Sequence, residues 1–228
     1  MSTSMSKRKF LMGAGAVAAA SAAIFVRRLA RAEETALQGT PSGDLGPFYP
    51  VEHPVDADSD LTRVGTGSGR ARGELIEVTG RVLALDGTPQ PLARIELWQA
   101  NAAGRYAHPG DTRADAPLDL SFQGYADLRA DAAGYFRFLT VRPGMYPVGS
   151  SFRRSPHIHL DVRGRQRRLV TQMYFDDTDA RVLAQDKVLQ HDLWGKSPVP
   201  ATVFAKLRKE ASRLDAAARL FQFDIVLS

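Results

Sequence analysis

Short alternating segments bounded by turn residues constrain the fold of this 228-residue chain more than any other feature. Apolar and polar residues alternate with a period of two, the pattern of a strand with one buried face. The segments are Ile76–Leu85, Arg94–Gln99, Tyr135–Val141, His157–Val162, Leu169–Phe175 and Phe221–Leu227. Gly and Pro residues separate them, as a succession of turns requires. We therefore predict an all-β fold, specifically an antiparallel β-sandwich.

One late segment has a helical pattern instead. Pro200 suits the first position of a helix, and Phe204 with Leu207 would form one apolar stripe. We expect a short helix from Pro200 to about Leu214, just before the last strand.

The residues before the first strand divide into two parts. Residues 33–73 are rich in Gly, Pro, Asp and Ser, which predicts an extended lead-in that wraps over the core. Residues 74–228 hold all the predicted strands and form the expected sandwich domain.

Residues 1–32 have the composition of an export signal. Three basic residues, Lys7 to Lys9, precede an apolar run from Phe10 to Val26, and Ala30-Arg31-Ala32 offers a small-x-small cleavage site. We expect cleavage near Ala32 and a periplasmic or secreted protein.

The route of export stays open at this point. Ser6 to Leu11 resembles a twin-arginine signal, although Lys7 stands where the first arginine usually lies, and the general secretory route is the alternative. The apolar run is also at the lower length limit for an uncleaved membrane anchor. Basic residues on both sides of the run argue against the anchor.

Charge and cysteine content exclude several classes of function. The chain has 30 basic and 25 acidic residues, but the first 32 residues contain six of the basic ones, which leaves 24 against 25. The exported chain therefore has no basic excess, and we do not expect nucleic acid as a partner. Cysteine is absent, so a metal site must use oxygen or imidazole ligands.

The segment from His157 to Val162 is the most informative for chemistry. Because side chains alternate along a strand, His157 and His159 point to one face and the apolar residues between them to the other. Two imidazoles at this spacing lie close enough to share an ion. Asp161 lies on the same face, so a secreted zinc hydrolase using these three residues is one interpretation. Two structural histidines in a non-catalytic binding module are another.

Two loops before this strand each present a tyrosine beside turn residues: Gly104–His108 contains Tyr106, and Pro143–Pro147 contains Tyr146. Phenolate oxygen is a hard donor that suits Fe(III), and a trivalent ion acidifies a phenol more strongly than zinc does. Taken singly, each tyrosine is more typical of packing at the wet edge of a core than of a metal ligand.

Six pieces of sequence together resemble the intradiol ring-cleavage dioxygenase family over most of residues 40–228, and most closely its iron-bearing β chains of the protocatechuate 3,4-dioxygenase type. The pieces are Thr40–Ser42 with Gly46–Tyr49, Trp98–Asn101 with Gly104–Tyr106, Pro143–Pro147, Pro156–His159, Thr171–Phe175 and Phe223–Leu227. They occur in the family's order. The two tyrosine loops followed by His-x-His are the most specific combination.

The resemblance implies a metal centre and its ligands. Tyr106, Tyr146, His157 and His159 would bind one Fe(III), with a solvent hydroxide as the fifth ligand. Tyr146 would be the ligand that leaves the metal when substrate arrives.

The resemblance also implies residues that act on the substrate. Arg154 would lie against the aromatic ring and stabilise negative charge on it, with Gln172 as a polar partner. Trp98 and Val148 would line the substrate pocket; Val148 replaces a tryptophan that is frequent in protocatechuate-type relatives, which leaves the substrate open.

The implied reaction is cleavage of a catechol between its two hydroxyl-bearing carbons by O2, giving a cis,cis-muconate-type product. Catechol, protocatechuate and hydroxyquinol are the candidate substrates. The resemblance further implies a homo-oligomer or pairing with a related chain.

Overall fold

The computed structural model describes residues 37–192 and 199–228. The predicted export signal, residues 1–32, lies outside the described residues. Within them the chain forms eleven strands. The strands are β1 (Leu75–Ala84), β2 (Arg94–Trp98), β3 (Tyr125–Arg129), β4 (Tyr135–Val141), β5 (Tyr146–Val148), β6 (Phe152–Arg154), β7 (Ile158–Arg163), β8 (Arg168–Phe175), β9 (Phe204–Leu207), β10 (Arg219–Gln222) and β11 (Ile225–Leu227).

Helical structure in the described residues is confined to short pieces between β8 and β9. These are helix α1 (Ala180–Gln185), a π-helical turn (Val188–Asp192) and a 3-10 turn (Ala201–Val203). Asp179 caps the start of α1 by accepting a hydrogen bond from the Arg181 backbone N–H. In the part of the chain that the structure describes, no helix combines the length and apolarity that a membrane span needs.

The all-β class is confirmed, but the strand pairing is mixed. Nine strands form a nearly closed, barrel-like sheet in the order β11-β1-β10-β9-β8-β7-β2-β3, with β4 also paired to β1. β1 pairs in parallel with both β10 and β11, and β8 pairs in parallel with β9. The antiparallel prediction is therefore wrong for these three pairs. The packing of two sheets as a sandwich stays a prediction.

The predicted helix from Pro200 to Leu214 is wrong. Only Ala201–Val203 turns, and the chain then extends into β9, between β8 and β10. Leu207 is 39% exposed, so the apparent apolar stripe of Phe204 and Leu207 does not face a core. Pairing with two neighbouring strands overrides the local helical pattern.

The side chains of β7 alternate between two faces, as predicted: apolar residues lie on one face and His159 lies on the other. Ile158, Leu160 and Val162 are fully buried in the main hydrophobic core. Complete burial of such a side chain contributes about 1.5–3 kcal/mol. The other face of the strand is thereby held in a fixed orientation, and it carries His159.

Residues 37–73 follow the sheet without forming a helix or strand of their own. The Thr40 N–H donates to the Val226 carbonyl at 3.0 Å, and the Val226 N–H donates to Thr40 Oγ1 at 2.9 Å. Leu61 is fully buried and its N–H donates to the Leu139 carbonyl. These contacts hold both ends of the segment that includes Phe48 and Tyr49, and the Tyr49 ring packs edge-on against Trp98 at the end of β2, with centroids 4.9 Å apart.

Candidate metal centre

Strand pairing places the two histidines beside an aromatic wall. His159 of β7 is opposite Trp98 of β2 in the antiparallel register. Their rings stack, with centroids 5.0 Å apart and an interplanar angle of 13°. His157 immediately precedes β7, and the centroids of the two imidazoles are 5.0 Å apart.

The two tyrosine loops lie against each other through their glycines. The Gly144 N–H donates to the Asn101 carbonyl at 2.9 Å. A Cβ on Gly104 would overlap the Met145 carbonyl, and one on Gly144 would overlap the Ala102 carbonyl. Only residues without a side chain permit this approach, so the glycines set the distance between the loops that carry Tyr106 and Tyr146.

Four rings close around one point. Ring centroids are 5.6 Å apart for Tyr106 and Tyr146, 5.6 Å for Tyr146 and His157, 5.0 Å for the two histidines, and 6.4 Å for His159 and Tyr106. The four side chains are 1–5% exposed. The structure thus brings together the four residues that the sequence predicts as ligands.

Both imidazoles are neutral and one presents its lone pair to the centre. Burial, followed by the charge of Arg154, lowers the pKa of His159 to about 3 and that of His157 well below its ordinary value. His157 Nδ1 lies 2.6 Å from the Ser155 carbonyl, which only accepts, so Nδ1 carries the proton. Its Nε2 is therefore free to accept, and it lies 3.3 Å from the Tyr146 hydroxyl.

The two phenols need a cation before they can ionise. Burial raises the pKa of Tyr106 well above its ordinary value and also raises that of Tyr146. The Tyr106 hydroxyl is buried without a well-formed hydrogen bond to any described residue. An unsatisfied buried oxygen is costly unless a ligand or ion completes it. Two phenol oxygens and two neutral imidazoles fit a hard trivalent ion such as Fe(III).

The zinc interpretation through Asp161 is wrong. The Asp161 carboxylate accepts hydrogen bonds from Arg163 and Arg168 at 2.9–3.0 Å. Among the described residues no group of three His, Cys, Asp or Glu side chains is placed to hold a metal. The extra strand repeat moves the carboxylate away from the two imidazoles, toward the arginines.

Arg154 and Gln172 both lie beside the four rings. Arg154 Nη1 is 3.4 Å from the Tyr146 hydroxyl, and Nη2 donates to Gln172 Oε1 at 2.5 Å and to the Tyr174 hydroxyl at 2.9 Å. Burial opposes the charge of Arg154, but the neighbouring tyrosines and Asp186 outweigh it and raise its pKa. A guanidinium that stays charged is thus fixed next to Tyr146.

The two predicted pocket residues differ in their surroundings. Trp98 is 1% exposed, and it borders a cavity of about 350 Å³ that Tyr106 and Phe48 also line. Val148 is 38% exposed, on the short β5–β6 hairpin two residues beyond Tyr146.

Sequence reasoning missed three residues that contact the predicted ones. Phe48 stacks on Tyr106 with centroids 4.6 Å apart, Tyr174 donates to Gln172 Oε1 at 2.8 Å, and Asp186 accepts from Arg154 Nε at 3.0 Å. The period of two along β8 was a signal for Tyr174, because it lies on the same face as Gln172. Asp186 follows a six-residue helix and carries no such signal.

Comparisons with known proteins agree with this geometry. Residues 45–228 match the family model described as Dioxygenase. The chain is similar to the protocatechuate 3,4-dioxygenase beta chain of Burkholderia cepacia, with 45% identity over 148 residues that cover 63% of this chain and 62% of that protein. The alpha chain of the same organism is 29% identical over 200 residues, 84% of this chain and 93% of that one.

The fold is also similar to that of a solved structure, hydroxyquinol 1,2-dioxygenase from Pseudomonas putida DLL-E4. The TM-score is 0.61 at 21% identity, covering 84% of this chain and 66% of that chain. Identity at this level shows a shared fold and no more.

Proposed function

The chain belongs to the intradiol ring-cleavage dioxygenase family, and we propose on that basis that it cleaves a catechol-class substrate with O2 at a ferric centre. The observation that carries the proposal is the closed set of four buried rings, Tyr106, Tyr146, His157 and His159. Two buried phenols with raised pKa values are unfavourable as free anions and favourable as ligands of a trivalent cation.

In this proposal Fe(III), when bound, supplies a Lewis acid that acidifies the two substrate hydroxyls and makes the ring electron-rich. The protein's own part starts with Tyr146. Tyr146 would be the ligand that gives way to substrate, and its phenol oxygen would accept one substrate proton. In the described structure Arg154 Nη1 lies 3.4 Å from that oxygen.

Arg154 and Gln172 then act on the substrate ring. The guanidinium presents a permanent positive charge in a buried site, where its interaction with developing negative charge is stronger than in water. Gln172 and Tyr174 fix its Nη2 edge, so little reorganisation is needed when charge appears on the ring.

The substrate is a catechol, a protocatechuate or a hydroxyquinol. A cavity of about 350 Å³ borders Tyr106 and Trp98. Arg154, Gln172 and Val148 are not among the residues that line it. Valine at position 148 is smaller than the tryptophan frequent in protocatechuate-type relatives, so the choice among these three substrates stays open. We further propose that the chain self-associates or pairs with a related chain, since two of its relatives are named as alpha and beta chains.

Oxygen uptake by the iron-loaded full chain tests the activity. With a panel of catechol, protocatechuate and hydroxyquinol, we expect uptake of one O2 per substrate cleaved and, by mass spectrometry, a ring-opened product with two new carboxyl groups. A product cleaved outside the two hydroxyl-bearing carbons, or no uptake with any of the three, would contradict the proposal.

We also propose export, with residues 1–32 removed near Ala32 and the twin-arginine route as the carrier. The support is the charge and composition of those residues, together with the advantage of exporting a protein already folded around its metal. Cell fractionation with N-terminal mass analysis is the test. Soluble cytoplasmic protein that still carries residues 1–32 would refute it.

A further inference from the structure

Asp186 is a fully buried carboxylate to which neither the sequence motifs nor the proposed reaction gives a role. It follows helix α1 directly and precedes the π-helical turn Val188–Asp192. A carboxylate removed from water is costly unless several donors satisfy it. The identity of those donors therefore indicates what the residue does.

The donors come mainly from the two residues beside the metal centre. Arg154 Nε donates to Oδ1 at 3.0 Å and to Oδ2 at 3.2 Å. The Ser155 N–H and hydroxyl donate to Oδ2 at 2.8 and 2.7 Å. The Leu189 N–H completes the set with a bond to Oδ1 at 3.1 Å.

One set of these hydrogen bonds, which we call the arginine arm, orients the guanidinium of Arg154. Because Asp186 accepts from Arg154 Nε with both carboxylate oxygens, the guanidinium is restrained at its Nε–H, and both terminal nitrogens remain available to other partners. Nη1 then lies 3.4 Å from the Tyr146 hydroxyl, and Nη2 binds Gln172 and Tyr174.

The second set, which we call the histidine arm, orients the imidazole of His157 through Ser155. Asp186 holds both the N–H and the hydroxyl of Ser155, and the carbonyl of the same residue accepts the His157 Nδ1 proton at 2.6 Å. This bond fixes the tautomer that leaves Nε2 free toward the centre. Groups behind a metal ligand that fix its ring in this way typically change affinity or activity about 10- to 100-fold when lost.

We propose that Asp186 is a positioning residue that sets Arg154 through its Nε and His157 through Ser155, so that one carboxylate aligns the substrate-facing charge with a metal ligand. The catalytic part of this inference rests on the proposed function. The geometric part does not, and it is tested separately.

The geometric test uses the iron-free full chain and NMR of the arginine Nε–H and histidine nitrogens. Asp186→Asn should raise the exchange rate of the Arg154 Nε–H about 10-fold or more, since a charged acceptor is lost. Gln190→Ala is the matched control, because Gln190 Nε2 binds only the Leu183 carbonyl in the same segment; its Arg154 exchange rate should equal that of the wild type. Unchanged exchange in a folded Asp186→Asn protein would overturn the proposal.

A milder variant, Ser155→Ala, tests the histidine arm apart from the arginine arm. It also replaces Asp186→Asn as the test if that protein does not fold. Ser155→Ala removes one bond to Oδ2 and leaves the Arg154 bonds in place. We expect the His157 nitrogen shifts to move toward a mixture of tautomers, with Arg154 exchange unaltered. Unaltered His157 shifts would overturn the histidine arm.

The catalytic test is a double-mutant comparison with iron-loaded protein. If Asp186 acts through Arg154, Asp186→Asn should lower kcat about 10- to 100-fold with a smaller change in KM, and it should add less than about twofold in an Arg154→Ala background. A full multiplicative loss in that background would show that Asp186 does not act through Arg154 and would overturn the arginine arm of the proposal. Absence of activity in the wild type would instead refute the proposed function and leave the NMR result to decide the positioning.

Discussion

Tyr106 has the most demanding environment of any single side chain at the site. Its oxygen is buried without a well-formed hydrogen bond, and its ring is fixed between Phe48 and Tyr146. Packing thus holds the ring in place, and in the proposed function a bound metal would satisfy the oxygen. Removing the oxygen alone should therefore separate metal binding from folding.

Tyr106→Phe should leave the unfolding free energy of the metal-free protein within about 1 kcal/mol of the wild type, because the ring is retained. Bound iron should fall from near one per chain to less than about a tenth of that. Metal analysis after gel filtration measures it. The control is Tyr135→Phe, since Tyr135 is 51% exposed and outside the site; full iron retention by the Tyr106 variant would contradict the ligand assignment.

The residues that meet at the centre were predictable where a motif or a strand period marked them. His157 and His159 follow from alternation, and Tyr106 and Tyr146 follow from turn-rich loops whose order resembles a family. Asp186 was not predictable, because it acts on Arg154 across 32 positions of sequence from a helical segment without periodicity.

Among the strands, β1 is the one that pairs with both of the last two strands of the chain, β10 and β11. β10 pairs with Ile76–Thr79 and β11 with Val82–Ala84, and the chain between them passes Gly80. A Cβ on Gly80 would overlap the Phe223 carbonyl. The final strand predicted over Phe221–Leu227 is split at this point because its two halves bind different parts of β1.

Gly80→Ala should therefore destabilise the protein by about 3 kcal/mol, at the upper end of the range for overpacking, because backbone cannot yield as a side chain can. Denaturant unfolding of the metal-free protein measures the change. Gly110 is exposed and has no positive φ, and a Cβ there would meet only the His108 side chain, at 3.1 Å, so Gly110→Ala should cost about 1 kcal/mol or less. Equal effects of the two substitutions would show that the close approach is not needed.

The β2–β3 pair carries a pH-dependent ion pair. Arg94 Nε and Nη2 donate to the Asp127 carboxylate at 2.7–3.0 Å, and these bonds lower the pKa of Asp127 below its ordinary 3.8. A carboxyl with a lowered folded pKa adds stability above pH 3.8, and this contribution is lost as the pH falls through the folded value.

Asp127→Asn should therefore cost about 0.5–1 kcal/mol at pH 7, the usual size for a partly exposed pair of good geometry. The difference from the wild type should shrink as the pH falls below about 4. Urea unfolding at a series of pH values checks this. A difference that grows toward low pH would have the wrong sign and would contradict the assignment.

Elements were predictable where alternation is strong and local. β4 was predicted with its bounds, and β1, β2, β7 and β8 to within a residue at each end. The prediction for Pro200–Leu214 failed because Phe204 and Leu207 mimic a helical stripe. β3 was missed because Tyr125 and Ala126 are adjacent and both buried, so the strand does not begin with a clean alternation.

In the molecule taken together, the nearly closed sheet carries His159, and the loop after β2 and the β5–β6 hairpin bring Tyr106 and Tyr146 to it. β1 joins β10 and β11 in parallel, although about 140 residues separate them along the chain. Parallel pairing between such distant strands leaves no local pattern, so the mixed sheet could not be predicted from the segments alone. The class of fold could be predicted from local alternation, and the residues of the site from the order of motifs that resemble the family.

The visible spectrum of the iron-loaded full chain, recorded before and after catechol is added without oxygen, tests the central claim most directly. Tyr106 and Tyr146 as ferric ligands predict a broad visible absorption band, which should shift when the substrate displaces Tyr146. A protein that binds one ferric ion per chain and stays colourless, or whose band does not respond to catechol, would contradict the four-ring centre.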